Sequence, residues 1–359
     1  FHASIIAHEK MSFYAYVSLF EVFVRLGMVF LLMIIPGDHL IMYALLYLLV
    51  IVLVNAIYMI YCRNKFQECK YEFKRDKAIF KDLISFSGWT LLGQASVVVK
   101  NQGEVIFINR FFSVTANAAM GVAAQVANAL EMFVSNFQTA FNPQLIQSHA
   151  AKDYEAHKSL LFRASKFSYF LLLIMLVPIV SNIDFILNLW LEEVPEYTNY
   201  FVAFILISYL FNALSTPFFT SLNATGKIKH YQITLSAIFI SGLGLIYFVL
   251  KGGAEPYFVS VVAILIQFVL LVARLFFAHK YVDFSYIQFF RKVVLKVSVV
   301  TLVAIIPSFV LYGIANGFWV NILNIVAEVL STGFIIFLLG LNRTERLFIL
   351  NIVKKRISK

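Results

Sequence analysis

Charge is scarce in this chain. Only 13% of its 359 residues are Asp, Glu, Lys or Arg, 61% are hydrophobic, and the mean hydropathy is +0.84. That balance excludes a soluble globular domain and a disordered chain alike, since neither has a use for so much apolar surface. Cysteine is nearly missing as well. Cys62 and Cys69 stand in a charged loop with no histidine at metal-ligand spacing, which excludes a disulfide scaffold and a zinc module and leaves both as reduced, incidental thiols. No glycine-rich phosphate loop follows a strand, which argues against ATP hydrolysis. Neither a His-Glu-x-x-His pattern nor a nucleophile elbow occurs. The chain therefore offers no catalytic residue and no metal site, calls for no cofactor, and does not read as an enzyme.

What is present is hydrophobic runs of membrane-spanning length. Ten stretches reach about 20 residues, the length of one bilayer crossing. They fall at 13–35, 40–61, 83–109, 114–141, 167–190, 200–222, 231–250, 257–279, 293–315 and 318–341. The expected class is all-α, a polytopic transmembrane helical bundle. Alternate connecting segments (1–12, 62–82, 142–166, 223–230, 280–292 and 342–359) hold 23 of the 29 Lys and Arg residues. An asymmetry of that kind places these loops and the C-terminus in the cytoplasm. It also absorbs the net charge of +10 without a nucleic-acid partner. The opposite loops are short, too small for the catalytic domain that a membrane-bound polysaccharide-assembly enzyme would need.

A repeat is visible in the loops. Ala7-His8-Glu9-Lys10-Met11-Ser12-Phe13-Tyr14 and Ala224-Thr225-Gly226-Lys227-Ile228-Lys229-His230-Tyr231 both read A-x-x-K-x-x-x-Y, each just before an outward-going span. Parallel repeats of six spans are a common way to build a transporter. On that reading residues 1–61 close an N-terminal lobe whose first four spans lie upstream of Phe1. Residues 62–82 are a basic linker, 83–279 a complete second lobe, and 280–359 two extra spans with a basic tail. Ten of fourteen spans are then in view, as two pseudo-symmetric six-helix lobes plus two C-terminal helices.

The polar residues inside the spans are the informative ones. In 83–109 they include Gln94, Lys100, Asn101 and Glu104. In 114–141, Asn117, Gly121, Ala124, Asn128, Glu131, Ser135 and Gln138 recur at steps of three and four, one narrow stripe on a helix. A charge at mid-bilayer costs about 3 kcal/mol on insertion scales, so such groups face other helices or a wet cavity. Glu131 is the sole carboxylate of its stripe, with no basic residue within a turn, and is the candidate for coupling to a proton or sodium ion. Lys100 and Glu104 stand one turn apart, as do Glu21 and Arg25; either pair could equally serve only to neutralise itself. Asp184 reads as interfacial, Arg274 and Lys296 as snorkelling cations near span ends, and His149 and His157 as solvated loop residues. Glu328 has no evident partner.

Several phrases carry a family resemblance: Ile6-Ala7-His8-Glu9-Lys10-Met11, Phe86-Ser87-Gly88-Trp89, Asn117-Ala118-Ala119-Met120-Gly121-Val122-Ala123-Ala124-Gln125, Asn142-Pro143-Gln144, Leu189-Trp190-Leu191-Glu192-Glu193-Val194-Pro195 and Ala224-Thr225-Gly226-Lys227-Ile228. Over roughly residues 1–250 the chain resembles the Wzx-type O-antigen flippases of Bacteroides-like bacteria. These form the polysaccharide-exporter branch of the multidrug/oligosaccharidyl-lipid/polysaccharide flippase superfamily. The resemblance implies translocation of an undecaprenyl-pyrophosphate-linked oligosaccharide across the bacterial inner membrane by alternating access. It also implies contact with membrane lipid and association with polysaccharide-assembly enzymes, and a monomer is expected because two lobes would supply both walls of the cavity. For such a substrate Arg25 and Lys100 would attract the pyrophosphate, Glu104 would accompany Lys100, and Asn101, Gln125 and Asn128 would meet sugar hydroxyls. A cation-coupled multidrug exporter of the same superfamily and a membrane enzyme of polysaccharide assembly are the alternatives.

Overall fold

A computed structural model describes residues 1–8, 10–34, 38–70, 76–282, 284–311, 317–347 and 351. Glu9 of the repeat phrase, part of the 62–82 linker and nearly all of the basic tail beyond 347 lie outside the described residues. Among those described there is no strand, and nine helices are long and apolar enough to cross a membrane. The chain is a multi-pass, all-α membrane protein. It divides into two compact units, Phe1–Ile79 and Phe80–Lys359.

In the first unit α1 (His2–Ala7) leads into α2 (Met11–Ile34), which packs on α3 (His39–Lys65). Asp38 caps α3, its carboxylate accepting from the Leu40 N–H at 2.9 Å. Val17, Met28, Val50, Val54 and Tyr58 form the seam, and Phe13 stacks on Tyr61 at 3.6 Å. The outward faces keep Tyr16, Phe23, Phe30 and Leu40 exposed, as suits helices whose solvent is lipid. Cys62 is not a loop residue. It is fully buried within the last turn of α3, its thiol on the Phe1 carbonyl at 3.5 Å. Beyond α3, His8 stacks flat on Phe66 and bonds Glu68, which holds the Glu68 carboxyl below its usual range.

The second unit starts with α4 (Lys77–Phe111) and α5 (Val114–Ala150), followed by α6 (Tyr154–Ser181), the short α7 (Ile183–Trp190), α8 (Thr198–Ala224), α9 (Lys229–Lys251) and α10 (Phe258–Val282). A turn of helix, α11 (Tyr286–Phe289), runs through a π-helical turn at Phe290–Val294 into α12 (Leu295–Leu311). The last long helix, α13 (Phe318–Ile335), ends in a second π-helical turn, Ile336–Gly340. The centre is α8, packed against α5, α6 and α10, while α12 and α13 lie against α6. Ala116, Ala119, Ala123 and Ala127 form the buried face of α5. Small side chains there let backbones approach closely, the usual basis of helix association in lipid. Gly226, at φ +68 in the turn between α8 and α9, holds a conformation that a β-carbon disfavours.

The expected spans and the helices differ in informative places. Stretch 83–109 is helical throughout α4, but Gln94, Lys100, Asn101, Gln102, Glu104 and Asn109 keep it out of the nine apolar helices. Stretch 167–190 is broken at Asn182. Pro178 has no N–H to give, and both the backbone N–H and the side-chain amide of Asn182 turn back to the Pro178 carbonyl. The two phrases of the repeat have a local parallel: Ala7 closes α1 as Ala224 closes α8, and a long helix starts within five residues of each.

Three further sequence expectations are corrected. Arg274 does not snorkel: it is buried, 8% exposed, because hydroxyl and amide partners surround its guanidinium. His157 is not solvated: it is 1% exposed, with Nδ1 on Ser148 and the Leu145 carbonyl and Nε2 on Ser221, joining α5, α6 and α8. Glu328 does have a partner, accepting from the Asn182 amide at 3.0 Å.

One ion pair fastens the C-terminal region to the core. Lys166 of α6, 3% exposed, donates to both carboxylate oxygens of Glu345 at 2.8 and 2.6 Å. Removing one partner of a buried pair strands the other charge at a cost of about 3–5 kcal/mol. Glu345→Gln is therefore expected to lower the unfolding temperature of the purified protein by several degrees. Joint replacement of Lys166 by Met and Glu345 by Leu should recover most of it. An unchanged melting curve for Glu345→Gln would show that the pair holds nothing.

Candidate functional site

Two groups of the sequence-derived residues lie in the second unit. On α4, Lys100 Nζ is 2.9 Å from Glu104 Oε1, with side-chain exposures of 15% and 11%. The pair shares a helix face with Gly93 and Val97, and Gly93 faces the Gln232 side chain of α9. A β-carbon there would fall 2.0 Å from Gln232 Oε1, and Gln232 is itself buried. Glu104 is buried at 8% exposure, while Asn101, one residue on from Lys100, is exposed.

On α5 the polar stripe runs beside the buried alanine face. Gln125 and Asn128 are exposed, Glu131 is half-buried and Gln138 is buried, its amide donating to Ser168 at 3.1 Å. A cavity of about 110 Å³ opens along this stripe, lined by Glu131, Ser135, Gln138, Tyr209, Asn212 and Thr216 among others. The Tyr209 hydroxyl reaches Asn128 Oδ1 at 3.5 Å.

Glu131 is the end of a polar relay. Its Oε1 accepts from Asn212 Nδ2 at 3.1 Å, and Asn212 Oδ1 accepts from the Arg274 guanidinium at 3.3 Å. Arg274 also donates to Ser215 Oγ at 2.5 Å and to the Tyr231 hydroxyl at 3.0 Å, with the Phe219 ring 5.6 Å away. An amide can donate and accept at once, so Asn212 connects carboxylate to guanidinium without a direct ion pair. With Glu131 ionised the relay is neutral; with Glu131 protonated it carries one positive charge. A bound proton therefore changes the net charge at the cavity wall by one.

Arg25 lies in the first unit, where it pairs with Glu21 at 2.5 Å and covers the Tyr47 ring at 5.2 Å. The structure thus places Glu131 on the cavity wall, leaves Asn128 outside it on the Tyr209 hydroxyl, and pairs Lys100 with Glu104. It leaves Asn101 and Gln125 on exposed helix faces. Sequence reasoning missed Tyr209, Asn212, Ser215, Tyr231 and Arg274. A signal was there: Tyr209, Asn212 and Thr216 repeat on α8 the three-and-four spacing that marked α5. Among the described residues no group of three or more His, Cys, Asp or Glu could hold a metal ion.

Residues 5–149 match the family model described as polysaccharide biosynthesis protein, and residues 90–250 match the MatE family model. No curated protein matches the chain. Among solved structures the lipid II flippase MurJ, in an inward closed conformation, superposes with a TM-score of 0.53 at 17% identity. The match covers 83% of this chain, which spans 60% of the MurJ chain. Likeness at that identity shows a shared fold.

Proposed function

We propose that this chain, which belongs to the multidrug/oligosaccharidyl-lipid/polysaccharide flippase superfamily, forms part of a flippase for an undecaprenyl-pyrophosphate-linked oligosaccharide. It works in the bacterial inner membrane with its C-terminus in the cytoplasm, and supplies O-antigen or capsule assembly. One observation carries the reading: Lys100 and Glu104, a largely buried ion pair on α4, lie within the stretch that matches polysaccharide biosynthesis proteins. An anionic pyrophosphate needs a cation in the transport path, and the saccharide needs amides and carboxylates for its hydroxyls. Lys100 supplies a cation, and Asn101, Gln125, Asn128 and Glu104 supply the hydroxyl partners; Arg25, in the other unit, is a separate candidate cation. The lobes alternate between inward and outward access, as pseudo-symmetric transporters do, and uptake of a proton or sodium ion at Glu131 drives the cycle. The chain acts as a monomer beside the enzymes of polysaccharide assembly.

The match of residues 90–250 to the MatE model favours a second reading, a cation-coupled multidrug exporter. Deleting the gene in its parent bacterium separates the two. Accumulation of lipid-linked oligosaccharide on the cytoplasmic leaflet with loss of surface polysaccharide supports the flippase. Normal polysaccharide with raised sensitivity to cationic drugs supports the exporter.

A further inference from the structure

A second concentration of charge lies away from the transport residues and shares none of them. Where the start of α6, the π-helical turn before α12 and the segment 342–345 after α13 meet, they enclose a cleft of about 420 Å³. Six cationic side chains line it: Lys158, Arg163, Lys166, Arg291, Lys292 and Lys296. Its two carboxylates are each engaged, Glu155 with Lys158 at 2.7 Å and Glu345 with Lys166 at 2.6 Å. Arg163, Arg291, Lys292 and Lys296 are left with no carboxylate partner among the described residues, and Lys296 bonds only the neutral Asn342 side chain.

Like charges gathered in a concave site raise its potential and draw in a counter-ion. The donor set specifies which kind. Two guanidiniums from different elements give paired N–H groups matched to phosphate oxygens, lysines add point charges, and the Ser159 and Thr344 hydroxyls add neutral donors. The backbone contributes too. Arg291 and Lys292 sit on a π-helical turn, a widened geometry common at functional sites. Basic pockets between helices at the level of lipid headgroups are a recognised way to hold phosphorylated headgroups.

We propose that this cleft binds a phosphate group, carried by an anionic phospholipid or by a soluble phosphate compound, and that the bound group clamps α12 and its π turn to α6. The cleft is then a structural ligand site beside the Lys166–Glu345 pair, not a station on the transport path.

The test uses the full-length protein in detergent, with thermal unfolding followed as ligand is added. The additions are phosphatidylglycerol, phosphatidylcholine, inorganic phosphate, and sodium chloride at matched ionic strength. A rise in unfolding temperature with phosphatidylglycerol alone assigns the site to a lipid headgroup; a rise with inorganic phosphate above the chloride control assigns it to a soluble phosphate. The joint replacement Arg291→Gln and Lys292→Gln, both exposed, should leave the ligand-free curve in place. It should weaken apparent affinity on the order of tenfold or more, the consequence of losing charged hydrogen bonds. Arg163→Gln, on the α6 side, should do the same and stands in if the pair fails to fold. Lys152→Gln with Lys227→Gln removes equal charge outside the cleft and should change nothing. Equal weakening by both pairs, an equal rise with phosphatidylcholine, or no rise with any phosphate-bearing addition would overturn the proposal.

Discussion

Flipping of a lipid-linked oligosaccharide is expected to fall by on the order of tenfold or more when Lys100 becomes alanine, and largely to survive Lys100→Arg. The size follows from the interaction removed, a charged hydrogen bond worth about 1.5–3 kcal/mol, where each 1.4 kcal/mol is a factor of ten. Arginine keeps the charge and can reach a pyrophosphate, so it should retain function that alanine loses. The competing role for Lys100 is to neutralise Glu104, 2.9 Å away on the next turn of α4. In that role the alanine variant fails because a buried carboxylate is stranded, and the double variant with Glu104→Gln should restore both protein level and transport. Protein level therefore has to be measured with flipping. A normal level with lost flipping, not rescued by Glu104→Gln, assigns Lys100 to the substrate. Undiminished flipping by the alanine variant at a normal level would remove Lys100 from the transport path.

The second large effect is expected at Glu131. Glu131→Gln keeps the shape and the acceptor for Asn212 but removes the group that can take up a cation. Sealed vesicles carrying this variant should lose the stimulation that an imposed proton or sodium gradient gives the parent protein, while slow, gradient-independent movement persists. Asn212→Ala tests the relay separately. It cuts the connection between Glu131 and Arg274, so it should shift the gradient response as well as lower stability, whereas a merely structural Asn212 would lower stability alone. Transport that answers the gradient normally after Glu131→Gln would count decisively against coupling at this residue.

The helices were legible in the sequence because hydropathy reports the solvent each segment needs, and lipid leaves few options for a backbone. Their ends were not. α5 and α6 extend well past the expected spans at 141 and before 167, since polar helical turns outside the bilayer carry no hydrophobic signal. Asp153, which caps α6 by accepting from the Ala156 N–H at 3.1 Å, marks that earlier start chemically. At the site, the spacing of α5 picked out Glu131 and Asn128, because a stripe is a property of one helix. Arg274 and His157 were misread for the opposite reason. Position in a span or a loop gives a depth, but only the packed neighbours, Asn212, Ser215 and Tyr231 for Arg274 and Ser148 and Ser221 for His157, decide whether a polar group can stay buried there.

The central claim is that the substrate is a lipid-linked saccharide carrying a pyrophosphate. Its most direct test is movement across vesicles containing the purified full-length protein. Undecaprenyl-pyrophosphate-linked oligosaccharide would be compared with cationic dyes under the same ion gradient. Protein-dependent transfer of the lipid-linked sugar between leaflets, with the dyes left in place, is the expected result. Dye export with the lipid-linked sugar unmoved would contradict it.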